Sequence, residues 1–200
     1  GNSNQHAMDN FSQRMVMSES MVRENNADAI AQGLDAKYVT PLNSGELEFG
    51  AYLHHSRNNS VITNPNNGMF FVDNFTNAKR DTASVYAQWT VNTEAYSSTY
   101  GARYTFTTMD AGEAGSNMVM MNPAIATLVS NFNAAERDEN YNMLDMAATT
   151  RYHASESLDI VIGISQKNRA PTYFERYTWL PLGISGGMAD GFNYIGNLEL

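Results

Sequence analysis

The sequence predicts an all-β chain: about seven antiparallel strands forming a segment of a transmembrane β-barrel. Three observations predict it. Successive stretches alternate apolar and polar residues, which in extended backbone sends neighbouring side chains to opposite faces. The connections run short and long in turn, so the long ones all fall at one end of the strands. The polar faces carry Gly, Ser, Thr, Gln and Tyr with few charges, a composition suited to a hydrated bore. A face turned to bulk water would be richer in Lys and Glu.

The elements follow in order. A first strand covers residues 3–10. Residues 30–40 alternate weakly, with Leu34, Ala36 and Tyr38 against Gly33, Asp35 and Lys37. In 46–54, Leu47, Phe49, Ala51 and Leu53 oppose Glu46, Glu48, Gly50, Tyr52 and His54. In 82–91, Ala83, Val85, Ala87, Trp89 and Val91 oppose Ser84, Tyr86, Gln88 and Thr90. In 99–107, Tyr100, Ala102, Tyr104 and Phe106 oppose Thr99, Gly101, Arg103, Thr105 and Thr107. Residues 142–153 set Leu144, Met146, Ala148 and Tyr152 against Asp145, Thr149, Arg151 and His153, and 158–166 set Leu158, Ile160, Ile162 and Ile164 against Asp159, Gly163 and Ser165. Short turns are expected at 41–45, 92–95 and 155–157. Long loops are expected at 11–27, 59–80, 109–141 and from 169 onward, with helical spacing only at 124–137. Trp89, Tyr96 and Tyr100 gather around one short turn and Tyr38 around another, as an interfacial aromatic girdle would. The alternative is a soluble β-sandwich with an aromatic core. It gives no reason for every long loop to lie at one end.

Seven strands are an odd number for a bacterial barrel. At roughly 29 residues per strand and connection, a barrel of about 22 strands would need on the order of 600 residues. The chain is therefore expected to be about a third of one, with open edges on both sides.

Composition excludes several classes. No apolar run reaches the roughly 18 residues of a membrane-spanning helix. A net charge of −9 gives no basic face for nucleic acid. With no cysteine, disulfides, zinc thiolates and cysteine nucleophiles are excluded. Motifs for hydrolase, nucleotide or zinc-protease chemistry are missing, so no enzyme is expected. Glu46 and Glu48 would sit beside a short turn, far from the loops, a poor place for a glycosidase dyad.

The most specific stretches are Arg169-Ala-Pro-Thr-Tyr-Phe-Glu-Arg-Tyr177, Trp179-Leu-Pro-Leu182, Gly186-Gly-Met-Ala-Asp-Gly191 and Tyr194-Ile-Gly-Asn-Leu-Glu-Leu200. These resemble the barrel of TonB-dependent outer-membrane receptors, and the resemblance covers most of the chain. It implies a receptor of the Gram-negative outer membrane, in contact with lipid, served by the TonB complex through an N-terminal region. The plug domain and the C-terminal strands are expected to lie outside this chain, which stops where the family would continue with Lys-Pro-Glu.

Within that family, His6-Ala-Met-Asp-Asn-Phe-Ser-Gln-Arg14 and the long final loop are similar to the TonB-dependent copper receptors. The resemblance implies that His6 and Met8 bind copper as transported ligand, together with a Cys-x-x-x-Met pair on the plug. Residues at i and i+2 of a strand share a face about 6–7 Å apart. A thioether favours Cu(I), and imidazole accepts either copper state. The alternative ligand is a siderophore or other metal chelate, which would call for aromatic and basic residues in the loops. Among the other candidates, Met109, Met118, Met120 and Met121 read first as loop packing and second as a Cu(I) trap; the same holds for Met15, Met17 and Met21. His54 and His55, being adjacent, must face opposite ways. His153, Asp145 and Arg151 share a polar face and suggest a relay. Glu175, Arg176 and Asp190 read as ion-pair or turn residues.

Overall fold

The computed structural model describes residues 2–6, 23–180 and 194–200, the first five by their backbone alone. One sheet contains β1 (Asn2–His6), β2 (Glu24–Leu42), β3 (Gly45–Asn64), β4 (Asn67–Asn92), β5 (Tyr96–Asp110), β6 (Glu139–Ser155) and β7 (Leu158–Gln166) in sequence order. Every neighbouring pair is antiparallel. This is a meander, the topology of an up-and-down barrel wall, here an open segment with β1 and β7 as its edges. Helix α1 (Pro123–Ala134) lies between β5 and β6. Helix α2 (Tyr173–Tyr177) and the small ladder of β8 (Trp179–Leu180) with β9 (Tyr194–Ile195) follow β7.

The apolar alternation becomes a continuous belt because register aligns it. Residues directly opposite in an antiparallel pair share a face. Leu34, Leu53, Ala83 and Phe106 form one rung; Ala36, Ala51, Val85, Tyr104 and Leu144 form the next; then come Tyr38, Phe49, Ala87, Ala102 and Met146, and then Leu47, Trp89, Tyr100, Ala148 and Ile164. Among the described residues nothing covers this belt. Leu34 is 67% exposed, Val85 57%, Ile162 71% and Ile164 78%. A sandwich would bury these side chains between sheets. From Leu34 to Leu42 the belt takes nine residues of β2, the length a tilted strand needs to cross a bilayer. The Trp89 and Tyr100 rings stack with centroids 5.7 Å apart beside the turn at 93–95, the girdle position.

The buried core lies elsewhere, at the long-loop end. Phe70, Val72, Phe75 and Ala78 of β4 and Met109 of β5 pack with Ala111, Ala114, Ile125, Phe132, Tyr177 and Trp179. Pro123 opens α1 where a missing N–H costs nothing, and the Asn122 side chain accepts from the Ala124 N–H. The expected helix at 124–137 is thus present, displaced by one residue at its start and ending at Ala134.

Four expectations need correction. β2 begins at Glu24, inside the expected loop at 11–27 and six residues before the expected strand, and residues 173–177 of the expected final loop form α2. Residues 59–80 are not a loop: β3 and β4 run on as a tall hairpin through a two-residue turn at 65–66. Beyond the belt β4 instead packs into the loop-end core through Phe70, Val72, Phe75 and Ala78, so the alternation that marks the belt does not continue in step. Register shifts around Asn58, Ser60 and Val61, with Asn77 at φ 48°, break the pattern further. The turn after β2 is also shorter than expected. Strand pairing reaches Leu42 and Gly45, and Asn43 takes the left-handed conformation at φ 53°.

Candidate functional site

The face opposite the belt is polar and internally connected. Lys37, Gly50, Tyr86, Arg103 and Asp145 occupy one rung across β2 to β6. Lys37 Nζ lies 3.3 Å from Glu48 Oε2. The Tyr86 hydroxyl donates to Glu48 Oε1 at 2.7 Å. The Arg103 guanidinium stands 5.4 Å from the centre of the Tyr86 ring. Tyr86 can lie flat along the wall because Gly50 offers no side chain; a Cβ there would fall 2.1 Å from a Tyr86 ring carbon. Asp35, Lys37, Tyr52, Tyr86 and Arg103 line a groove of about 430 Å³. Its neighbour of about 320 Å³ is lined by Tyr86, Gln88, Arg103, Asp145 and Lys167. Lys37, Glu48, Arg103 and Asp145 thus place both signs of charge along this face. Sequence reasoning did not single out this row. The signal available was a glycine on a polar face two residues from a glutamate.

The packed end forms a cap. Arg137 closes α1 by donating from Nη1 to the carbonyls of Phe132, Asn133 and Ala135, and from Nε to that of Ala111. The Tyr177 hydroxyl donates to the Arg137 carbonyl at 2.7 Å, tying the segment after β7 to the α1 loop. Burial pushes the Tyr177 phenol up to about 12. Thr172 and Glu175 make a reciprocal capping box at the start of α2. The Arg169 guanidinium meets both Glu175 carboxylate oxygens, at 2.7 and 2.8 Å. That guanidinium, then the Thr172 N–H, holds Glu175 down at about 2. Burial raises the Asp73 carboxyl on the underside of the cap.

The residues singled out in the sequence fall as follows. His6 ends β1, its backbone opposite Glu24. Glu24 is ten residues from Leu34 along β2, so His6 stands about 33 Å along the strand from the top of the belt, at the loop end. Met8, Met15, Met17, Met21 and Asp190 lie outside the described residues. The methionines of the α1 loop divide: Met109 is buried in the cap and Met118 packs against it, whereas Met120 and Met121 are exposed. His54 and His55 do face opposite ways. His54 stacks on Tyr52 on the polar side, and His55 meets Asp81 on the belt side. The expected relay of His153, Arg151 and Asp145 is not assembled. His153 and Arg151 both meet Asp159, at 2.8 and 3.3 Å, while Asp145 accepts from the Asn168 N–H. Glu175 pairs with Arg169. Arg176 is buried, donating to the Tyr141 and Tyr177 hydroxyls and the Leu200 carbonyl. Among the described residues no group of three His, Asp or Glu side chains could hold a metal ion.

A family model described as "TonB dependent receptor-like, beta-barrel" matches residues 3–200. No curated protein and no solved structure matches the chain.

Proposed function

Because the chain belongs to the TonB-dependent receptor-like β-barrel family, we propose that it is part of the wall of an outer-membrane importer whose cargo is copper. The observation that carries the importer reading is the division of one sheet into an uncovered apolar belt and a polar face with its own hydrogen-bond network. That division suits a wall with lipid on one side and an aqueous bore on the other. Cargo arrives at the loop end. The TonB complex acts from the short-turn end on a plug that closes the bore, and this family imports and does not catalyse.

The copper assignment rests on His6 and Met8. A soft thioether and an imidazole separated by one residue suit Cu(I). The backbone of His6 stands at the loop end, where cargo first meets the wall. A complete site would need further donors from the plug. Tyr52, Tyr86, Lys37 and Arg103 along the polar groove favour a second reading, an anionic metal chelate.

Copper content of the full-length receptor, purified from copper-fed cells, separates the two. His6→Ala with Met8→Ala is expected to remove at least about nine-tenths of the bound copper, since losing two donors costs well over a tenfold change in affinity. Unchanged copper in that variant rejects the site. Copper-independent retention of a ferric chelate would favour the second reading.

A further inference from the structure

Two rungs above the belt, on the same face, the register sets two cations side by side. The top belt rung is Leu34, Leu53, Ala83 and Phe106. Next comes Gln32, His55, Asp81 and Thr108, where His55 and Asp81 pair with each other. The rung after that is Ile30, Arg57, Lys79 and Asp110. Arg57 and Lys79 are therefore directly opposite, and no register shift between there and the belt reverses their facing.

Like charges directly opposite on a sheet destabilise it. Among the described residues neither cation has an ion pair. Asp110 lies beyond Lys79 in the same rung and Asp28 on the rung above, yet neither closes on Arg57 or Lys79. Arg57 is exposed, and Ile30, half exposed, completes the rung with an apolar side chain. Four residues separate this rung from the belt along each strand, about 13 Å. At a strand tilt of 35–45° that is roughly 10 Å along the barrel axis, at the outer margin of the headgroup layer.

We propose that Arg57 and Lys79 together bind the phosphate of a phosphorylated lipid headgroup in the outer leaflet. The inference rests on the reading of the belt as lipid-facing. A phosphate between the two accepts from both, removes their repulsion, and is delivered to that height by its own acyl chains. Ile30 meets the apolar margin of the same lipid. His55 and Asp81 on the intervening rung neutralise each other when His55 is protonated.

The test uses the full-length receptor in detergent, titrated with lipid A carrying both phosphates, with dephosphorylated lipid A, and with inorganic phosphate, each followed by native mass spectrometry. Phosphorylated lipid A is expected to bind at least about tenfold more weakly to Arg57→Gln/Lys79→Gln than to the unaltered receptor, with Arg57→Lys intermediate. Dephosphorylated lipid A is expected to bind both forms equally and weakly. Heat-modifiable gel mobility establishes that each variant is folded. Equal binding of phosphorylated lipid A to all forms overturns the proposal. So does equal affinity for inorganic phosphate, which would make the pair a free-anion site. Failure of the receptor to fractionate with the outer membrane would overturn the underlying importer reading instead.

Discussion

At the residue scale, the polar wall depends on a side chain that is missing. Gly50 lets Tyr86 lie against the strand and reach Glu48. Gly50→Ala should push Tyr86 off the wall, break that hydrogen bond and cost about 1–3 kcal/mol, as overpacking does. Urea unfolding of the full-length receptor in lipid vesicles measures it. Adding Tyr86→Ala should recover most of the loss, because the two changes share one contact. Additive losses would deny the contact its role. Glu175 provides a second residue-level prediction. Its carboxyl ordinarily titrates at 4.5 and is held at about 2 here, chiefly by Arg169. A depressed carboxyl contributes stability that is fully present above about 4.5 and is lost as pH falls toward 2. Carbon-13 titration should find Glu175 ionised at pH 3.5, and Arg169→Ala should return it toward its ordinary value. Tyr177 moves the other way: raised by burial, it favours the fold below its usual value of 10 and ceases to do so as pH climbs through 12.

At the element scale, strands were legible only where two different solvents meet. Across the belt, lipid on one side and water on the other force strict alternation, and the sequence boundaries of β3 to β7 there match the structure closely. Beyond His54 and Arg80 the hairpin of β3 and β4 leaves the belt, register shifts interrupt its alternation, and β4 turns apolar side chains into the cap. Residues 59–80 therefore read as a loop although backbone pairing is nearly continuous. The same logic explains the site. Parity alone separated His54 from His55, but it could not say that Asp159, rather than Asp145, would receive His153. That depends on the register of β6 with β7, which the hairpin turn fixes. The difference between the faces is testable by charge. Val85→Arg, in the middle of the belt, should cost about 2–4 kcal/mol in vesicle unfolding. Gln88→Arg, close by on the polar face and opposite Glu48, should cost almost nothing. Similar costs at both positions would mean that the faces do not differ in solvent.

At the scale of the whole molecule, apolar packing and apolar exposure are separated along the strand axis. The cap of β4, α1 and the segment after β7 buries its side chains in the ordinary way, with Val72 and Trp179 wholly covered. The belt below buries nothing and leaves Leu34, Ile162 and Ile164 bare. For a protein in water the second half would be an aggregation surface; in a bilayer it is the correct solvent contact. The import reading, the copper site and the lipid phosphate site all depend on that assignment of faces. Electron paramagnetic resonance on the full-length receptor in bilayers tests it most directly, with nitroxides placed one at a time at introduced cysteines; this chain has none of its own, and any cysteine elsewhere in the receptor is first replaced by serine. Labels at Phe49, Val85 and Ile162 should collide readily with oxygen and poorly with a water-soluble nickel chelate, while labels at Gln88, Thr105 and Gly163 show the reverse. Collision rates that fail to alternate, or that place Phe49, Val85 and Ile162 out of reach of both reagents, would contradict the lipid-facing belt.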